Sequence, residues 1–278
     1  MRSRLAVATA ARRVVAGSTA LTVLTRDTLN RCFDSGYHPV DVRATAGADA
    51  DIVVENLSVG YGRRLALQGV SGRFAPASLT AVVGPNGGGK SSLLKALAGI
   101  LPARTGTIAC TAHVGHRLAY LPQISELDRS YPVTVQELVA LGGWRAFGSF
   151  RSLPQNLRPA IDKALAAVRL DGLGSRPIDD LSVGQFQRTL FARLLLQDAA
   201  VLLLDEPFAA VDEATIAELL GLVHTWHAEG RTVVAVLHDL DQVRRHFPAT
   251  LVLARECIAW GDTATTLTDE ALARAHET

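Results

Sequence analysis

Four short runs of largely apolar residues stand out after residue 50, and each stops at a residue of a different kind. Leu79–Val83 stops at Gly84, Leu118–Leu121 at Pro122, Ala200–Leu204 at Asp205 and Thr232–Leu237 at His238. Runs of this length, apolar throughout, predict strands buried on both faces. Between them, apolar residues recur at helical spacing over Ser92–Ile100, Pro159–Leu170, Ser182–Gln197 and Glu213–Glu229. Strand alternating with helix predicts an α/β fold with a mainly parallel sheet. Asp51–Tyr61 alternates apolar and polar positions and predicts a half-buried strand, with a second over Ala66–Phe74. Shorter strands are expected at Thr107–Cys110, Thr250–Leu253 and Cys257–Trp260, and a closing helix near Asp269–Ala275.

The parallel-sheet pattern breaks after Leu121-Pro122-Gln123. A polar loop, Ile124–Tyr131, leads to Thr134-Val-Gln-Glu137, a capping box in which the Thr hydroxyl and Glu carboxylate each satisfy a free backbone N–H. The pattern stays helical to Leu170, with a Gly/Pro-containing break at Gly142–Pro154. Residues of about 124–190 therefore read as a helical insertion. Ser182 is the natural cap of the next helix, and Asp212 of the one after.

The 278 residues are 48% hydrophobic, ample for a core, and no stretch reaches the length of a membrane span. With 28 basic and 27 acidic residues, charge alone points to neither nucleic acid nor a membrane surface. Three widely spaced cysteines, Cys32, Cys110 and Cys257, do not make a disulfide framework. Residues 1–50 differ from the rest: five arginines precede the first acid, Asp27. They read as a poorly ordered extension or an upstream start, with a targeting helix as the alternative. Residues 51–278 form the folded part.

The chemistry begins at Gly84, Pro85, Asn86, Gly87, Gly88, Gly89, Lys90, Ser91 and Ser92, which match the phosphate-binding loop G-x-x-x-x-G-K-[ST] between a strand and a helix. Backbone N–H groups and the helix start surround a phosphate chain, Lys90 reaches the β- and γ-phosphates, and the Ser91 hydroxyl binds Mg²⁺. Such a loop serves kinases, GTPases and motors alike. Asp205 and Glu206 follow a buried strand, where ligands bind in open α/β sheets; one carboxylate suits Mg²⁺ and the other suits positioning of water. His238 occupies the same kind of position. Tyr61 precedes a Gly-Arg-Arg turn and could stack on a base or be an ordinary tyrosine. Cys110, His113 and His116 could gather around a metal, but an exposed hairpin is favoured because no fourth ligand is apparent. His224 and His227 share a helix face, as surface histidines often do.

The phosphate loop, Gln123, Leu181-Ser-Val-Gly-Gln185, Val201–Glu206, Ala209–Asp212 and His238, in this order, resemble the ATP-binding subunit of ABC transporters over residues 51–278. The resemblance implies a RecA-like core, an N-terminal antiparallel β subdomain and the helical insertion. It implies that Tyr61 stacks on adenine and that Ser91, Gln123 and Asp205 surround Mg²⁺. Glu206 would polarise the attacking water, and His238, Gln123 and Lys90 would serve catalysis beside it. Ser182, Gly184, Gln185 and Asp212 would complete the ATP site of a second copy, making the enzyme a homodimer on the cytoplasmic face of the membrane, joined to transmembrane permease subunits. Val183 stands where the family carries glycine, which implies weaker closure or slower hydrolysis. Asp128–Val135, Phe186-Gln-Arg188 and Glu206–Asp212 resemble the zinc and manganese import branch, zinc preferred, which works with an extracytoplasmic metal-binding protein. The siderophore and haem branch is the alternative. A ribosome- or DNA-acting ATPase is disfavoured by the single phosphate loop and the near-neutral charge, so no nucleic-acid partner is expected.

Overall fold

The computed structural model describes residues 51–110, 118–143 and 157–277. Residues 1–50, with Cys32 and His38, and residues 111–117, with His113 and His116, lie outside the described residues. The described chain divides into two compact units, one built from 51–121, 199–207 and 223–277, the other from 122–198 and 208–222.

The first unit contains two sheets. The antiparallel sheet joins β1 (Ile52–Tyr61), β2 (Arg64–Phe74) and β4 (Thr105–Cys110) in the order β2-β1-β4. Its alternation carries a fault that simple period-two reading passes over. Ile52 and Val54 are buried, then Leu57 and Val59, so the inward phase shifts by one residue. Asn56 adopts φ 48° there, and the pairing register shifts between Val54 and Leu57. The bulge absorbs the extra residue and keeps both apolar pairs on the core side.

The second sheet has six strands in the order β5-β6-β7-β3-β8-β9. They are β3 (Leu79–Val83), β5 (Leu118–Leu121), β6 (Val201–Asp205), β7 (Thr232–Val236), β8 (Ala249–Ala254) and β9 (Glu256–Asp262). All neighbours run parallel except β8 with β9. Every residue of β3, β6 and β7 is buried, which is why the sequence shows them as unbroken apolar runs. Each Val or Leu so buried is worth about 1.5–3 kcal/mol. The central strands therefore make a rigid floor, and the residues just past their carboxyl ends inherit that rigidity.

Helix α1 (Lys90–Leu97) leaves β3 through the glycine loop. It starts two residues before the expected Ser92 and stops three before Ile100, because the chain turns at Gly99, φ +71°.

The other unit is helical, with α2 (Val135–Ala140), α3 (Arg158–Ala167) and α4 (Val183–Gln197). The Thr134–Glu137 capping box forms as read, with reciprocal bonds of 2.8 and 3.4 Å. Arg129 clips the start of α4: its guanidinium donates to the Leu181 carbonyl and lies 5.0 Å from the Phe186 ring centre. Helix α5 (Glu213–Ala228) follows the Asp212 turn. Three further helices close the chain in the first unit: α6 (Leu240–His246), α7 (Thr263–Thr266) and α8 (Asp269–Glu277). The first two are absent from the sequence reading. They are short and carry few apolar positions, so periodicity is silent, and their side-chain caps Asp239 and Asp262 are the signal available.

Candidate functional site

The phosphate loop sits between β3 and α1, where the sequence places it, and its geometry depends on glycine. At Gly84, φ is +145° and an added Cβ would stand 2.0 Å from the Leu253 carbonyl oxygen of β8. At Gly89, φ is +90° and a Cβ would stand 2.5 Å from the Ala66 carbonyl oxygen. Both positions combine a left-handed backbone with a close approach, so neither accepts a side chain. Asn86 and Gly87 are exposed, Gly84 and Pro85 half-buried, and Gly88 and Ser92 buried.

Lys90 is buried at the start of α1, and its ammonium donates to the Gly84 and Pro85 carbonyls at 2.8 and 2.9 Å. The cation is thus held over the loop. Burial pushes its pKa below the usual lysine value, while Glu206 and Asp205 oppose that shift. The Ser91 hydroxyl donates to Asp205 Oδ1 at 3.0 Å, and Tyr120 donates to Oδ2 at 3.3 Å. Asp205, at the end of β6, is completely buried.

A buried carboxylate beside a hydroxyl is a hard-oxygen pair suited to Mg²⁺. Their 3.0 Å separation is close to the ~2.9 Å edge of an octahedron with ~2.1 Å metal–oxygen bonds. Among the described residues no group of three or more His, Cys, Asp or Glu gathers for a metal.

Glu206 directly follows Asp205 and has φ 50°. A non-glycine residue in this region is uncommon, and it recurs where a chain must aim a functional side chain. The Glu206 Oε1 oxygen lies 2.7 Å from His238 Nε2. An ionised carboxylate only accepts, so Nε2 carries the proton in this contact. His238 follows β7, the neighbour of β6 in the sheet. Two parallel strands thus present a carboxylate and its hydrogen-bond partner side by side. Sequence reading named both residues and missed their contact; their equivalent positions, each at the end of an adjacent apolar run, were the usable signal.

Tyr61, at the end of β1, is 54% exposed, an aromatic face open to solvent in the same unit as the loop. Cys110, the last residue of β4, is partly buried.

The remaining site residues belong to the helical unit. Gln123 directly precedes the short 3-10 turn Ile124–Glu126. Ser182 caps α4: its Oγ accepts from the Gln185 N–H at 3.2 Å, and Gln185 Oε1 accepts from the Ser182 N–H at 3.1 Å. Ser182 keeps its O–H and Gln185 its NH₂ for another acceptor. Val183 is the first helical residue and has no positive φ, so a β-branched side chain meets no backbone strain there; only its bulk remains as a possible hindrance. Gly184 differs from the loop glycines. A Cβ would lie 3.6 Å from Thr215 Oγ1 and 3.8 Å from Asp212 Oδ2, ordinary contact distances. The chain itself does not require glycine at this place.

A polar relay that the sequence does not announce fixes the Asp212 turn to α4. Asp212 accepts from the Thr215 N–H at 2.9 Å and the Thr215 hydroxyl at 3.0 Å. These bonds hold its carboxyl below the usual range. Arg188 of α4 donates to Thr215 Oγ1 and to Glu218, both at 2.9 Å, and Arg169 joins Glu218 at 2.8 Å. No motif links positions 188, 215 and 218, so only a contact could reveal them.

The ABC transporter family matches residues 67–209. The chain is 34% identical over 227 residues to the manganese transport system ATP-binding protein MntB of Listeria monocytogenes, covering 80% of this chain and 95% of that protein. It is 34% identical over 240 residues to the zinc transport system ATP-binding protein TroB of Treponema pallidum, covering 85% of this chain and 89% of that one. Among solved structures, a metal-chelate type ABC transporter in an inward-facing conformation superposes with a TM-score of 0.72 at 29% identity, over 82% of this chain and 90% of that chain. The chain belongs to the ABC transporter family, as its ATP-binding, ATP-hydrolysing subunit.

Proposed function

We propose that this ATPase powers a membrane importer of a divalent transition-metal ion, manganese or zinc, by hydrolysing ATP in two sites shared between two copies of the chain. The contact that carries the mechanism is Glu206 Oε1 to His238 Nε2 at 2.7 Å. It holds a carboxylate ready as the base for water, with an imidazole beside it to donate to developing negative charge. The loop N–H groups and Lys90 hold the phosphates, Tyr61 stacks on adenine, and Ser91, Asp205 and Gln123 hold Mg²⁺. Bound there, Mg²⁺ would supply positive charge against the phosphates.

Gly184 supports the shared site. Glycine near the start of a helix weakens the helix, and no neighbour in the chain requires it. A missing side chain there suits an approach from outside, that of a second copy's γ-phosphate to the free N–H groups of α4. Ser182, Gln185 and Asp212 stand around that approach.

No helix among the described residues is long and apolar enough to cross a membrane. In this reading, transmembrane permease subunits carry the ion. An extracytoplasmic metal-binding protein delivers the ion, and the assembly places this subunit on the cytoplasmic face. The relatives include both manganese and zinc transport ATP-binding proteins, so either ion fits this reading. The test is uptake into vesicles holding this chain with its co-purified permease. Uptake of manganese or zinc should depend on ATP and stop with Glu206→Gln. ATP-dependent uptake of haem or an iron chelate alone would overturn the metal-ion reading.

A further inference from the structure

Helix α5 ends and helix α6 ends within reach of each other through two imidazoles. His224 Nε2 lies 3.3 Å from His246 Nδ1, the ring centres are 5.4 Å apart and the planes are tilted by 53°. Both rings are half-buried, so solvent reaches them and their positions are constrained. His227 stands one turn beyond His224 on the same helix face, also half-buried. None of these residues has a part in ATP hydrolysis as described above.

The separation is informative. Two nitrogens bound to one tetrahedral ion at ~2.0–2.1 Å lie ~3.3 Å apart. From the same distance, the geometry points to a binding site for a divalent transition-metal ion of the zinc class, gripped by His224 Nε2 and His246 Nδ1. The ion takes the place of the hydrogen now shared between the rings, and each ring then carries its proton on its far nitrogen. Burial, then His246 and His227, lower the pKa of His224, which keeps its ring neutral and its lone pair available near pH 7. Because no third ligand is gathered among the described residues, water or His227 after a rotamer change completes the shell.

The site has a place in the fold that matters. Helix α6 is capped by Asp239, the residue after His238, and His246 is its last residue. An ion held by His224 and His246 therefore ties the far end of the helix that follows the proposed catalytic histidine to α5. The inference rests on this geometry and stands whatever ion the importer carries.

The experiment is zinc titration of the full-length, tag-free protein against a chromophoric chelator, with thermal melts alongside. Wild type should bind zinc and melt at a higher temperature with it, since an ion that binds only the folded state stabilises it. His224→Gln/His246→Gln should melt like wild type without zinc, lose the zinc-induced shift, and bind at least about tenfold more weakly, or about 1.4 kcal/mol. His113→Gln/His116→Gln controls for the other histidine pair and should retain the shift. If the double variant does not fold, the single His246→Gln at the helix end serves in its place. Superimposable isotherms and melts for wild type and the pair variant would overturn the site, as would loss of binding only in the His113/His116 control.

Discussion

In the sheet-containing unit, the residues proposed for chemistry stand at the carboxyl ends of strands whose every residue is buried. In the helical unit, they stand on a helix start and a turn, held by side-chain hydrogen bonds. Asp205, Glu206 and His238 inherit their positions from β6 and β7. Ser182, Gln185 and Asp212 depend on a capping box and on the Arg188–Thr215–Glu218 relay. The difference suits the two jobs. Phosphoryl transfer needs groups fixed to fractions of an ångström, whereas groups that meet a nucleotide only on assembly must be free to arrive and leave.

The comparison can be broken at several strengths. The largest effect is expected at the strand ends: Glu206→Gln should lower ATP turnover about 10²–10⁴-fold while nucleotide binding persists, measured by phosphate release and by nucleotide fluorescence. Gly84→Ala should cost about 2–4 kcal/mol in denaturant unfolding, since its Cβ would meet the Leu253 carbonyl at 2.0 Å. In the helical unit, Arg188→Ala should cost less, about 1–2 kcal/mol, because the relay is partly exposed. Its larger mark should be a raised KM for ATP from a loosened Asp212 turn. If Arg188→Ala left KM unchanged while lowering stability, the relay would be scaffolding alone. The smallest effect belongs to Val183→Gly. With no backbone strain to relieve, turnover should rise by less than about tenfold, balanced by up to about 1 kcal/mol of lost helix stability.

The same contrast governs what could be read from the chain. Buried parallel strands write themselves as apolar runs, and a residue that ends such a run is placed by counting; hence Gly84, Asp205 and His238 fell where expected. The Thr134 and Ser182 caps were equally legible, because a capping box is a local rule over four residues. The bulge at Asn56 was not, since its left-handed φ follows from matching two apolar pairs to a sheet, a tertiary demand. Nor were the contacts Arg129–Leu181, Arg188–Thr215 and His224–His246, which join residues 22 to 52 positions apart with no periodicity to mark them. Val183, whose departure from the family pattern implies weaker closure or slower hydrolysis, is the first residue of α4 and has no positive φ, so any such effect must come from its bulk.

The central claim is that a complete hydrolytic site needs the strand ends of one copy and the helix start of another. Light scattering of Glu206→Gln with Mg²⁺ and ATP tests it most directly. The account predicts a nucleotide-dependent doubling of mass that reverts when Ser182→Arg blocks the α4 start. A protein that binds ATP tightly and remains monomeric, or a monomer that hydrolyses ATP at the wild-type rate, would contradict it.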